Sequence, residues 1–152
     1  MLDIQRKLAR AFEGAGPLIA RLRNEGGTFH SDAQLLERAR AILAAMPEAE
    51  QVAVINAHPR IGENPAKVSA DSFKEQGYDR DTTPPEVHLR LARLNEEYEQ
   101  KFGFRFVVFV NRRPKEAIVP LLEARLRGTR DEERRTALRE ILSIAADRLG
   151  RV

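Results

Sequence analysis

The chain has no cysteine. That excludes disulfides, thiolate nucleophiles and sulfur-based zinc sites, and it suits a reducing compartment. Histidine is scarce: His30, His58 and His88 are the three in 152 residues, so acid–base chemistry near neutrality rests on very few groups. No apolar run approaches the ~20 residues of a membrane-spanning helix, and the opening MLDIQRKLAR lacks the apolar centre of a signal peptide. The expectation is a soluble, cytoplasmic protein with no membrane partner. A large excess of one charge is also missing. Lys and Arg number 26 against 23 Asp and Glu, a formal net of +3, and the arginines are interleaved with glutamates instead of being blocked in an arm. Solvated helices with local ion pairs have this pattern, and nucleic-acid-binding tails do not. Internal repeats, low-complexity stretches and a Gly-rich phosphate loop are absent too. The length fits one domain, residues 1–152, able to bury a core without staples.

What is present is mostly helical periodicity. Leu2, Ile4, Leu8, Ala11 and Phe12 fall near one helical face, interrupted by Glu13-Gly14-Ala15-Gly16-Pro17. A second helix from about Pro17 carries Leu18, Ile19 and Leu22 and ends at Gly26-Gly27. Ser31 and Gln34 have capping-box spacing ahead of Leu35, Ala39, Ile42, Leu43 and Met46, and Pro47-Glu48 opens the next helix. Ser69-Ala70-Asp71-Ser72 offers another start, stopped by Gly77. Thr83-Pro84-Pro85-Glu86 reads as a Thr N-cap with proline at the first helical position; that helix runs to Gly103 with Val87, Leu91, Leu94, Tyr98 and Phe102 on its stripe. A helix over 115–127 contains Pro120 as a kink point. Thr129 caps the last helix, whose stripe is Leu138, Ile141, Leu142, Ala145 and Leu149. The expected architecture is all-α, one compact domain of seven or eight helices, with one extended buried segment at about 104–110.

Candidate chemistry gathers at four places. Val52 to Ile55 lead to His58, and Pro59 bars that residue from continuing a helix, so the imidazole stands on the last turn or just past it, with Gly62 allowing a close turn. Either the ring caps the helix dipole or it moves protons. Ser72, Glu75 and Gln76 share one helical face, as a polar site or as an ordinary surface helix. Phe104 to Val110 reads as a buried strand with no partner strand. Its backbone groups must therefore bond something, and a polar ligand is one candidate. Arg148 falls on the buried stripe of the last helix, where it either snorkels at the helix end or holds an anion in a pocket. His88 and His30 have no convergent partners in the pattern and read as bystanders. No metal site is expected, since a proline-broken turn separates His58 from Glu63 and no second histidine falls at ligand spacing. The set suits a small, polar, anionic substrate that needs proton transfer.

The order Ala57-His58-Pro59, Ser72-x-x-Glu75-Gln76, Leu94-Asn95-x-x-Tyr98-x-x-Lys101-Phe102-Gly103-Phe104-x-Phe106, Glu133 and Ile144-Ala145-x-x-Arg148-Leu149 is specific. It resembles the 2-oxo-4-hydroxy-4-carboxy-5-ureidoimidazoline (OHCU) decarboxylases of urate degradation, over roughly residues 8–150. Ala11-Phe12-Glu13-Gly14-Ala15-x-Pro17 is similar to that family's entry segment. The resemblance implies a cofactor-free, all-α enzyme, a homodimer, that converts a small anionic heterocycle, OHCU, to (S)-allantoin and carbon dioxide. It also implies His58 as the catalytic histidine, with Glu75 and Arg148 in the catalytic group. Pro59, Ser72, Phe73, Lys74, Glu75 and Gln76 would line the substrate, and Phe106, Val107, Val108, Phe109 and Val110 would offer backbone hydrogen bonds. The chain departs from the pattern at Arg60-Ile61-Gly62, where many members read Asp-Leu after His-Pro. It departs also at Gly77-Tyr78, which follows Gln76 early, and at Leu18 in place of a tryptophan. These changes are expected on the pocket rim, where they bear on substrate identity. Two other readings fit: an enzyme on a related carboxylated heterocycle, which shares every site residue, or a non-catalytic basic helical module whose binding to nucleic acid would depend steeply on salt.

Overall fold

A computed structural model of the chain describes residues 4–12, 16–24, 29–62 and 83–150. Among the described residues there are seven helices and no strand: α1 (Ile4–Ala11), α2 (Gly16–Asn24), α3 (Asp32–Ala45), α4 (Glu48–Asn56), α5 (Pro85–Phe102), α6 (Lys115–Arg125) and α7 (Arg130–Gly150). The expected all-α class is the one found. The start expected near Ser72 lies outside the described residues.

The long C-terminal helix is the axis of the packing. Helix α7 lies against α1, α3, α4 and α5, while α2 packs on α3 and α4 and α6 packs on α5. Its inner stripe, Ala137, Ile141, Ile144, Ala145 and Leu149, is buried, as are Leu91, Leu94, Tyr98 and Phe102 of α5. Each large aliphatic or aromatic side chain so placed contributes about 1.5–3 kcal/mol relative to exposure. An aromatic cluster ties α5 to the segment that follows it: Tyr98 stands 4.6 Å from Phe102, 6.1 Å from Phe104 and 5.4 Å from Phe106, ring centre to ring centre.

The helix ends follow local chemistry, with two corrections. Ser31 Oγ accepts from the Gln34 amide at 3.1 Å, as the capping box predicts, but Gln34 Oε1 reaches one residue further back, to the His30 amide at 2.9 Å. Thr129 Oγ1 likewise accepts from the Glu132 amide at 3.2 Å. Gly103, at φ +81, closes α5 in the left-handed conformation that glycine adopts without a Cβ clash. The start of α5 differs from expectation: Pro84 is the N-cap and Pro85 the first helical residue, so Thr83 stands one position too early to cap. Of the two prolines, the second takes the position where a missing amide hydrogen costs nothing.

The second correction concerns residues 104–110. The β-rich composition predicts a strand, but 104–110 forms none, since among the described residues no second extended segment pairs with it. Arginine side chains take over its carbonyls. The segment ends in a tight turn, Val110 to Arg113, closed by Arg113 N–H to Val110 O at 3.0 Å with Asn111 at φ 50 and Arg112 at φ 62. Two central residues at positive φ define a type I′ turn, here carried by asparagine and, unusually, arginine.

Candidate active site

Val54 and Ile55 anchor α4 in the core, and the helix ends at Asn56. The next turn tightens, with the His58 amide donating to Ile55 O at 3.2 Å, and Pro59 then takes the chain out of the helix. The His58 imidazole is therefore just beyond the last turn, as expected, and is buried, with 3% of its surface exposed. Its Nδ1 lies 3.3 Å from Val54 O. A carbonyl can only accept, so Nδ1 carries the hydrogen, and in the neutral ring Nε2 is the basic atom.

The residues after α4 are clamped from outside. Arg105 Nη1 donates to both Asn56 O and His58 O at 3.0 Å, and the Arg105 amide donates to Asn56 Oδ1 at 2.9 Å. Asn95 Nδ2 donates to Ile61 O at 3.0 Å. Arg60 forms a fork to Glu99, Nε to Oε2 at 2.7 Å and Nη2 to Oε1 at 2.9 Å. Together these fix His58 through its own main chain, so its ring direction does not depend on α4 alone.

The facing wall is the segment that lacks a partner strand. Arg125 Nη1 donates to Val107 O at 2.6 Å, Arg113 Nε to Val110 O at 2.9 Å, and Arg113 Nη2 to Phe109 O. Arg125 is itself held by the buried Glu133, Nε to Oε1 at 2.7 Å, and Glu133 Oε1 also accepts from the Tyr98 hydroxyl at 2.7 Å. Burial pushes the Tyr98 hydroxyl well above the ordinary tyrosine range, so it stays a donor. The carbonyls of Val107, Phe109 and Val110 thus have donors, whereas no protein acceptor among the described residues meets the amides of Phe106 to Val110.

Arg148 closes the third side. It is 3% exposed, and Nη1 donates to Arg10 O at 3.1 Å. It is buried among the cavity's lining residues and does not snorkel to solvent at the helix end. His58, Pro59, Ile61, Phe106, Val107, Val108, Phe109, Val110, Ile144 and Arg148 line one cavity. Within it about 40 Å³ is open to the centre of a water molecule, and the space is about 430 Å³ when its mouth is included. The inner figure exceeds the ~10–15 Å³ that one water needs. Its lining is mostly apolar, with His58 and Arg148 as the titratable and charged residues among it, and electrostatic interactions are stronger in such a setting than in water. Such a site can bind an anion, hold an oxygen on amide donors and move a proton at one carbon.

His58, Pro59, Arg148 and the whole of Phe106 to Val110 are brought together as expected. Ser72, Phe73, Lys74, Glu75 and Gln76 lie outside the described residues. Two of the departures expected on the rim are elsewhere: Leu18 is fully buried in the core, and Arg60 reaches Glu99 on α5 without lining the cavity. The rim assignment fails because a residue two positions from His58 turns to the other side of the chain. Ile144, quoted from the sequence only as part of the motif, also lines the cavity, and its place one turn before Arg148 puts both on the same helical face. Sequence reasoning missed Arg105, Arg113 and Arg125, whose bonds to carbonyls leave no spacing pattern.

Comparison with known proteins bears on this geometry. A family model described as OHCU decarboxylase matches residues 3–150. The 2-oxo-4-hydroxy-4-carboxy-5-ureidoimidazoline decarboxylase of Haloferax volcanii is 29% identical over 88% of this chain and 80% of its own length. The mouse protein of the same name is 30% identical over 72% of this chain and 64% of its own length. A uric acid degradation bifunctional protein of a Bacillus species is 32% identical over 84% of this chain, which spans 28% of that longer protein. A crystal structure of OHCU decarboxylase in the presence of (S)-allantoin superposes with a TM-score of 0.74 at 20% identity, covering 95% of this chain and 96% of the other, and so has the same fold.

Proposed function

The chain belongs to the OHCU decarboxylase family of urate degradation, and we propose that it converts OHCU to (S)-allantoin and carbon dioxide in the cavity between α4, the 106–110 segment and α7. The observation that carries this reading is the convergence of His58, Arg148 and residues Phe106 to Val110 on one cavity.

In the proposed reaction the bond between the ring carbon and its carboxylate breaks. The electron pair passes to the ring as an enolate, and a proton is delivered to one face of the carbanion to set the S centre. Arg148 holds the anionic substrate. Main-chain amides of the 106–110 segment stabilise the enolate oxygen in surroundings where a hydrogen bond is worth more than in water. His58, through Nε2, engages the substrate hydroxyl or protonates the carbanion. Glu75, with Ser72 and Gln76, would orient the hydroxyl and ureido groups, and Pro59, Phe73 and Lys74 would complete the lining. The chemistry assigned to these side chains needs no cofactor. A homodimer and a cytoplasmic setting belong to the same reading; among the described residues no helix is long and apolar enough to cross a membrane, and sedimentation velocity would report the oligomer.

The test is turnover of freshly generated OHCU followed by circular dichroism, which reports (S)-allantoin above the racemic product of spontaneous decay. His58→Ala and Glu75→Ala should abolish the enantioselective rate while retaining the helical spectrum. Full turnover by folded His58→Ala would remove the imidazole from the mechanism.

A further inference from the structure

Two arginines that do not line the cavity hold the main chain of its wall. Arg125 binds the Val107 carbonyl at 2.6 Å, is tied to Glu133 at 2.7 Å, and lies 4.6 Å from the centre of the Phe106 ring. Arg113 binds the Phe109 carbonyl, and the Val110 carbonyl at 2.9 Å. The carbonyls of Val107 and Phe109 therefore point out of the cavity. No peptide among the described residues is cis, and across a trans peptide the C=O and the following N–H point in opposite directions. Carbonyls held outward at 107 and 109 therefore turn the amides of Val108 and Val110 inward. Neither amide meets a protein acceptor among the described residues.

We propose that Arg125 and Arg113 are positioning residues that aim the Val108 and Val110 amides, as a pair of parallel donors, at one substrate oxygen. This rests on the decarboxylase reading for the identity of that oxygen, the ring oxygen on which enolate charge develops as the carboxylate leaves as carbon dioxide. Arg125 suits the role because its planar fork bonds Glu133 and the Val107 carbonyl at once, which fixes the peptide plane in rotation as well as in position. Lysine, with one ammonium, can satisfy either partner but does not reproduce that plane.

The experiment compares Arg125→Met, Arg125→Lys and Arg113→Met with the wild-type chain in OHCU turnover, and in amide-resolved NMR during titration with (S)-allantoin. In Arg125→Met, kcat should fall roughly 10- to 100-fold while KM moves less than about threefold, because an aim lost by a fraction of an ångström is felt most by the charge developing in the transition state. Arg125→Lys should recover only part of the rate. The Val108 amide shift induced by (S)-allantoin should shrink in Arg125→Met, and that of Val110 in Arg113→Met. Should Arg125→Met not fold, Arg113→Met carries the test, since its bonds go only to main chain. Folded variants with wild-type kcat and unchanged amide shifts would overturn the proposal. A wild-type chain that neither turns over OHCU nor binds (S)-allantoin would instead sink the decarboxylase reading. Acetate, as a bare carboxylate probe, then decides the positioning: shifts at Val108 and Val110 that vanish in the variants support it, and no shift in the wild type overturns it.

Discussion

Replacing Glu133 by glutamine removes one charge from the buried network behind the cavity and changes little else. The carboxylate side chain is 6% exposed and that of Arg125 14% exposed, with Nε and Oε1 2.7 Å apart. The same oxygen accepts the Tyr98 hydroxyl at 2.7 Å. Breaking a buried pair by deleting one partner costs about 3–5 kcal/mol, because the remaining charge is left without compensation. Glutamine keeps one acceptor oxygen, and the guanidinium retains Val107 O and the face of the Phe106 ring. The expected loss for Glu133→Gln is therefore about 2–3 kcal/mol, from charge-assisted bonds worth roughly 1.5–3 kcal/mol each becoming neutral ones. Urea unfolding is the assay. With a slope of about 1–3 kcal/mol per molar, the midpoint should fall by roughly 1–2 M at unchanged slope. The double variant Arg125→Met with Glu133→Leu removes both charges but leaves the Tyr98 hydroxyl and the Val107 carbonyl without those partners, so it should lose less than the sum of the two singles without returning to wild type. A Gln variant within about 0.5 kcal/mol of wild type, or a double variant that loses the sum of the two singles, would refute the claim that these charges are coupled and desolvated.

The Tyr98 hydroxyl gives a pH prediction. Burial raises its pKa above the ordinary value of 10, so the folded state binds the proton more tightly than the unfolded state. That contribution is fully present below about pH 10 and is lost as pH rises toward the folded pKa, by up to about 1.4 kcal/mol per pH unit. Unfolding free energies of wild type and Tyr98→Phe, compared from about pH 8 to about pH 11, should converge as pH rises; a constant difference would mean that the hydroxyl titrates normally. The type I′ turn gives a second. Arg112, at φ 62, bears the roughly 1–2 kcal/mol cost of a left-handed side-chain residue, and glycine there loses about 0.5–1 kcal/mol in added unfolded-state freedom. Arg112→Gly should thus raise the melting temperature by about 1–3 °C, since 1 kcal/mol is worth roughly 2–4 °C at this size. A lower melting temperature would show that the turn is not strained at Arg112.

Much of this site is legible in the sequence for definite reasons. His58 can be placed because Pro59 imposes a helix end whatever the tertiary context. Arg148 can be placed because a cation on an apolar stripe must go inward or to the helix end. The strand expected at 104–110 fails because β propensity describes side chains that pack well when half-buried, whereas a strand also needs a partner. Arg60 illustrates the opposite limit: its position beside His-Pro suggests the rim, and only the distance to Glu99, 39 residues away, reveals a clamp.

The abundance of arginine then acquires a structural reading that charge counting misses. Arg105 bonds the carbonyls of Asn56 and His58, Arg113 those of Phe109 and Val110, Arg125 that of Val107, Arg130 that of Phe102, and Arg148 that of Arg10. These carbonyls belong to non-helical segments or helix ends, where backbone acceptors lack the i+4 donor that a helix interior supplies. An all-α fold that must present main-chain amides to a ligand has to interrupt a helix, and each interruption leaves carbonyls to be satisfied from elsewhere. A guanidinium is suited to that task, since its five donors in one plane can take two oxygens and still face a carboxylate or an aromatic ring. Arg113 and Arg125 placed this way hold the cavity wall from behind, whereas Arg148 lines the cavity itself, and each turns charge toward backbone oxygens where a polyanion-binding module would turn it to the solvent.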